Sequence, residues 1–273
     1  MTITEESPET TLEVGRSRLR KEDQRLITGR TRFTDNLSVP GMLFLGMVRS
    51  PIAHAKITSI DTDQAKAAPG VVAVFTGPDL ADDVGPMPCG WPLSPEDKVP
   101  EYYPVAREEV NFAGEIVAVV VARSAQAARD ATELVDVEYE DEQVVLDLEA
   151  AAAGSPYVHP DWETNVSTHW VFDSAEAGTG GDVKDEIEKA RQDGIVLERT
   201  FRQQRLIPAF MEPRSFLVDP TGDQIVLWSS TQVPHFVRVF TAIATNTPEN
   251  KIRVIAPDVG GGFGGKLEVT PEE

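Results

Sequence analysis

The sequence predicts a mixed α/β chain built from two units. Three observations predict it. Short β-branched, apolar runs recur along the chain, the strongest being Ile116–Ala122 (IVAVVVA). Helix-like stretches fall between these runs, Ala-rich after Ser124 and amphipathic near Asp182 and Thr231. A small-residue stretch, Leu148–Gly154 with Ser155-Pro156 behind it, interrupts the pattern near mid-chain. With 273 residues, the chain can bury two ordinary cores.

Residues 1–20 read as a tail, acidic at first and then basic; Arg16, Arg18, Arg20, Lys21, Arg25, Arg30 and Arg32 form a basic patch that reads as a solvated or interface-facing segment, expected to face another subunit or the missing half, the alternative being docking to an acidic partner. Met42–Arg49 is almost entirely apolar, as a strand buried on both faces would be. Strands follow at Ile57–Ile60 and, entered through the Pro69-Gly70 turn signal, at Val71–Phe75. A proline-rich loop from Pro86 to Pro104 holds Cys89 and Trp91. After the strand at Ile116–Ala122, Ser124 is placed to cap a short helix running to Glu133, and Val135–Tyr139 returns as a strand. In the second unit a helix is expected at Asp182–Gln192. Strands are expected at Ile195–Phe201, Arg214–Val218, Gln224–Trp228 and Ile252–Ile255. Val233, Phe236, Val237, Phe240 and Ile243 repeat at helical spacing within a helix spanning 231–245, and read as core.

Composition excludes several functions. A net charge of −20 disfavours nucleic acid and anionic membranes as partners. No apolar run approaches the ~20 residues of a membrane-spanning helix, and no secretory signal core is present. Cys89 is the only cysteine, so neither an internal disulfide nor a cysteine-based metal cluster is available, and a reducing, cytoplasmic location is expected. His54, His159, His169 and His235 lack ligand spacing; His54 reads as a packing or loop-tethering residue, and Cys89 as a structural thiol.

The most informative stretch is Asp258–Lys266 (DVGGGFGGK), five glycines around one aromatic residue. Such a loop brings backbone amides close to a ligand, and consecutive N–H groups can cradle an anion. Two patterns fit by spacing. Gly260-x-Gly262-x-x-Gly265 matches the dinucleotide fingerprint, which requires a helix directly afterwards. Gly260-x-x-x-x-Gly265-Lys266 matches most of a phosphate-binding loop, but Leu267 stands where that loop needs Ser or Thr.

Read together, several stretches resemble the large, molybdenum-binding subunit of the xanthine dehydrogenase/aldehyde oxidase family, particularly its aerobic carbon monoxide dehydrogenase branch. They are Glu22–Arg30 (EDQRLITGR), Val39–Leu43 (VPGML), Arg49–Ala55 (RSPIAHA), His159–Asn165 (HPDWETN), Met211–Arg214 (MEPR), Ser230–Pro234 (STQVP) and the glycine loop. The resemblance implies an α/β hammerhead domain over 24–145, a linker over 146–156, and the N-terminal part of a molybdopterin-binding domain over 157–273. Large subunits of the family run two to three times as far, so an N-terminal portion or one half of a split subunit is expected.

By the same resemblance, Gln232 hydrogen-bonds an oxygen ligand of molybdenum, and Gly261, Gly262, Phe263, Gly264 and Gly265 line the metal and pterin. An amide suits this role because it donates without adding charge. No residue of this chain ligates the metal directly, and none is catalytic: the family's general base is a Glu expected beyond Glu273. Glu212 reads as setting a strand entry. Purine-oxidising members carry Glu where this chain has Leu267, which points toward CO, a small aldehyde or a heterocycle. The implied cofactor is the molybdenum pterin, in the cytosine dinucleotide form. The implied partners are an FAD subunit, a two-iron two-sulfur subunit and a chain carrying any missing half. The complete enzyme would oxidise its substrate with water-derived oxygen, and the isolated chain is expected to be inactive. The rival reading is a non-catalytic assembly or docking module built on the hammerhead.

Overall fold

The alternating apolar runs of the first half fold into two antiparallel three-stranded sheets. The computed structural model describes residues 17, 19–90, 92, 94–174, 178 and 181–273. Most of the expected tail, including Arg16 and Arg18, and also Trp91, lie outside these residues. The strands are β1 (Phe44–Arg49), β2 (Ala55–Asp61), β3 (Val71–Thr76), β4 (Glu109–Val110), β5 (Ile116–Ala122) and β6 (Asp136–Asp141). One sheet has the order β1-β5-β3, the other β4-β2-β6.

β5 lies at the centre of its sheet because it is apolar on both faces. Val117 packs with Ala55, Ala106 and Val110, while Val120 packs with Ala65, Val74 and Ala131. Fully burying a valine stabilises by about 1.5–3 kcal/mol, so this strand anchors both cores. Ala65 lies in helix α2 (Asp63–Ala67), and Ala131 in helix α3 (Ala125–Thr132). Ser124 caps α3 as expected, its hydroxyl accepting from the Ala127 amide at 3.1 Å. β1 departs from the expectation of burial on both faces. α3 closes on Gly46, where an added Cβ would meet the Ala128 carbonyl oxygen at 2.5 Å. Leu45, on the opposite face, stays about half exposed because nothing described covers it.

Residues 148–153, expected as linker, form a short helix, α4, whose N-cap Asp147 accepts from the Ala150 amide at 2.8 Å. Sequence reading also passed over the short helix α1 (Asp23–Ile27), the helix α2 and the two-residue strand β4.

In the second half, helix α5 (Val183–Asp193) starts on its N-cap Asp182. The third sheet contains β7 (Phe216–Asp219), β8 (Ile225–Ser229) and β9 (Ile252–Ile255). β7 runs antiparallel to β8, and β8 parallel to β9. Parallel strands need a crossover, which is helix α6 (Pro234–Ala244). Of the apolar stripe read as core, only Val237 is buried; Phe236 and Ile243 are exposed, and the other buried positions of the helix are Ala242 and Ala244. The strand expected at Ile195–Phe201 does not form. Ile195, Leu197 and Phe201 are more than four-fifths exposed and no neighbouring strand among the described residues pairs with the segment, so the ladder that would stabilise it is missing. Among the described residues, no helix is long and apolar enough to cross a membrane.

Candidate cofactor-binding site

Where two parallel strands end side by side, loops leave a crevice outside their carboxyl ends, and ligands of α/β sheets favour that place. β8 and β9 make such a pair. The chain leaves β8 through Ser230-Thr231-Gln232 and enters α6; it leaves β9 into the glycine loop. The two exits are stitched together. The Gln232 amide donates to the Lys266 carbonyl at 2.8 Å, and Gln232 Oε1 accepts from the amides of Gly264 at 3.1 Å and Lys266 at 3.3 Å. The structure therefore brings Gln232 and the glycine loop together, residues 34 apart in sequence.

The loop is held from behind by a buried charge cluster. Lys266 is fully buried, and its ammonium meets Glu212 Oε2 at 3.0 Å, Ser230 Oγ at 2.7 Å and the Phe210 ring at 4.7 Å. The same Glu212 oxygen accepts from the Gly260 amide at 2.6 Å and the Ser230 hydroxyl at 2.7 Å. Burial pushes the Glu212 carboxyl up, but these donors and the Lys266 charge outweigh it and hold it below its ordinary value. Glu212 is thus more than a strand-entry residue, and Lys266 went unnoticed as a site-holding cation. The only sequence signal was a lysine directly after a glycine loop that has no phosphate-loop Ser or Thr behind it.

At the loop entrance, the Arg25 guanidinium pairs with Asp258, whose carboxylate also accepts from the Arg32 amide at 3.3 Å. The hydrogen bond from Arg25 is the main reason that Asp258 lies below its ordinary pKa. This part of the basic patch is therefore turned onto the chain itself.

Glycine is required here for two separate reasons. At Gly262 an added Cβ would collide with the Gln232 side chain, 2.7 Å from Cδ; at Gly261 the backbone takes φ +101°. Phe263 has φ 49° and is 75% exposed, its ring lying over Gly261. The amides of Gly260, Gly264, Gly265 and Lys266 are consumed within the chain. Those of Gly261, Gly262 and Phe263 have no partner among the described residues. The expected cradle is therefore narrower, three consecutive N–H groups. Beside them are the Gln232 –NH₂, left to donate because its oxygen is committed, and the N-terminus of α6. Among the described residues, 266–273 are not helical, whereas the dinucleotide fingerprint requires a helix directly after its glycines.

Next to this wall lies an apolar pocket of about 370 Å³ between the two halves, lined by Met87, Cys89, Tyr102, Phe236, Phe240 and Leu267, among others. Cys89, read as a structural thiol, is exposed on its wall. Burial, followed by the charges of Glu115 and Glu272, pushes the Tyr102 hydroxyl up to about 12, so it stays protonated.

Known proteins resemble this chain in sequence and fold. Residues 28–143 match the family described as "Aldehyde oxidase and xanthine dehydrogenase, a/b hammerhead domain", and residues 158–273 the "Molybdopterin cofactor-binding domain". The chain is 36% identical over 262 residues to the nicotine 6-hydroxylase large subunit of Paenarthrobacter nicotinovorans, covering 95% of this chain and 31% of that one. To the carbon monoxide dehydrogenase large chain of Afipia carboxidovorans it is 35% identical over 264 residues, covering 93% and 32%. The crystal structure of quinoline 2-oxidoreductase from Pseudomonas putida 86 matches with a TM-score of 0.79 at 36% identity, covering 94% and 32%. The chain thus spans about a third of the length of these relatives.

Proposed function

Because the chain belongs to the xanthine dehydrogenase/aldehyde oxidase family, we propose that residues 232 and 261–265 form one wall of the molybdenum pterin site in a hydroxylase large subunit. The observation that carries this is the donor set. The Gln232 –NH₂ and the amides of Gly261, Gly262 and Phe263 are uncommitted donors on the two loops that leave β8 and β9, and the N-terminus of α6 follows Gln232; such a donor set suits an oxygen-rich, anionic group. When bound, the molybdenum centre would supply two-electron oxidation with an oxygen atom drawn from water. Gln232 orients the group through its –NH₂, the exposed Phe263 ring excludes water, and the Glu212–Lys266 cluster holds the loop at the right height. The cofactor form is the cytosine dinucleotide. The partners are an FAD subunit, a two-iron two-sulfur subunit and the polypeptide supplying the rest of the cofactor site. The setting is cytoplasmic.

Of the substrates left open, this reading favours a flat, largely apolar heterocycle. About 370 Å³ walled by aromatic and aliphatic side chains lies in the range of small-ligand pockets and far exceeds what CO needs. Leu267 offers no hydrogen bond to a purine, and a polar group left unmatched there costs about 1–3 kcal/mol. Two similar proteins carry heterocycle names, nicotine 6-hydroxylase and quinoline 2-oxidoreductase.

The test is dye reduction by the complete complex with quinoline, an aliphatic aldehyde and CO as rival substrates. Quinoline turnover that falls at least tenfold in Leu267→Glu supports the reading; turnover of CO alone refutes it. The same reading expects the 273-residue chain by itself to hold no stoichiometric molybdenum, since it provides one wall only.

A further inference from the structure

Away from the glycine loop, three donors converge on the β4-β2-β6 sheet. His54 precedes β2, Glu109 lies in β4 and Glu142 follows β6. Their ligand atoms all lie within 4.8 Å of one another. His54 is only 6% exposed, and its Nε2 has no hydrogen-bond partner. Its Nδ1 lies 2.9 Å from the Gln143 carbonyl. A carbonyl cannot donate, so Nδ1 carries the proton and the Nε2 lone pair is directed outward. It faces Glu142 Oε2 at 3.4 Å. A lone pair opposed to a carboxylate needs a cation between them, either a proton or a metal ion.

Three features favour a metal. Ligands about 2.1 Å from a tetrahedral zinc lie about 3.4 Å apart, which is the separation of Nε2 and Oε2. The carbonyl on Nδ1 is the outer partner that metal-bound histidines use to fix their tautomer. Glu109 supplies a third oxygen, and the neighbouring Asn111 Oδ1 is buried without a partner. The other Glu142 oxygen is occupied by Lys56 Nζ at 3.2 Å, a side chain exposed enough to swing aside.

We propose that His54, Glu109 and Glu142 form a divalent transition-metal site of the zinc class that fastens three strands, with the fourth position open to water. β4 pairs with β2 at only two positions, so it is the strand such an ion would secure most. The site is independent of the pterin reading.

The test is titration of the full 273-residue chain with Zn²⁺, and with Co²⁺ as a spectroscopic probe, after chelator treatment. One equivalent is expected, with tetrahedral Co²⁺ absorption and a raised unfolding temperature. Affinity should fall at least tenfold in His54→Gln and in Glu109→Gln; the second variant changes an exposed residue and keeps the fold. No uptake, with His54 and Glu142 titrating as a plain ion pair, overturns the proposal. So does uptake that both variants retain, which would place the ion elsewhere on the acidic surface.

Discussion

Replacing Glu212 by Gln leaves Lys266 as a fully buried ammonium with a neutral amide in place of the opposing carboxylate, beside the Ser230 hydroxyl at 2.7 Å and the Phe210 ring at 4.7 Å. Removing one partner of a buried ion pair costs about 3–5 kcal/mol, because the survivor keeps its desolvation penalty without the compensating charge. In a chain of this size that is a fall of roughly 6–20 °C in unfolding temperature. Glu212→Gln combined with Lys266→Met removes both charges and should recover much of the loss, a coupling of about 1–3 kcal/mol. Thermal unfolding by circular dichroism reads the stability, and hydrogen exchange at the Gly260 amide, which donates to Glu212, reads the loop. A loss below about 1 kcal/mol in Glu212→Gln, or additive losses in the double variant, would refute the clamp. Acid gives an independent check. The folded Glu212 lies below its ordinary value of 4.5, so its contribution is complete above that value and is lost as pH falls through the lower folded pKa. The Gln variant should lose that part of the acid sensitivity.

Gln232→Glu should keep the acceptor for the Gly264 and Lys266 amides while losing the –NH₂ donor. In the complete enzyme it should abolish most turnover with little change in stability, whereas Gln232→Ala should also lose about 1–3 kcal/mol. Gly262→Ala forces the loop off Gln232 and should lower molybdenum content, measured by metal analysis, while far-ultraviolet circular dichroism stays unchanged. Ser124→Ala removes the α3 cap and should destabilise by about 1 kcal/mol in urea unfolding without touching the cofactor site.

Local chemistry made several elements legible. Ile116–Ala122 reads as an interior strand, and Ser124 is a cap placed where a cap belongs. What failed depended on neighbours. Ile195–Phe201 has a strand's composition, but a strand needs a ladder and none among the described residues meets it. Leu148–Ala153 read as linker because alanine carries no amphipathic signal, although Asp147 was present to start a helix. In the site, the sequence marked Gln232 and the glycine loop but not the reason they meet. That reason is a parallel strand pair and a buried Glu212–Lys266 bond across 54 residues, and long-range pairing leaves no periodicity to read. The His54–Glu109–Glu142 cluster was hidden for the same reason, since three strands assemble it.

The most direct measurement of the central claim is a structure of this chain with the polypeptide that completes it, loaded with the molybdenum pterin. The Gln232 –NH₂ should lie within hydrogen-bond distance of an oxygen on the metal, and at least one of the Gly261–Phe263 amides should point at the cofactor. A cofactor bound elsewhere, with Gln232 and those three amides facing solvent, would contradict it.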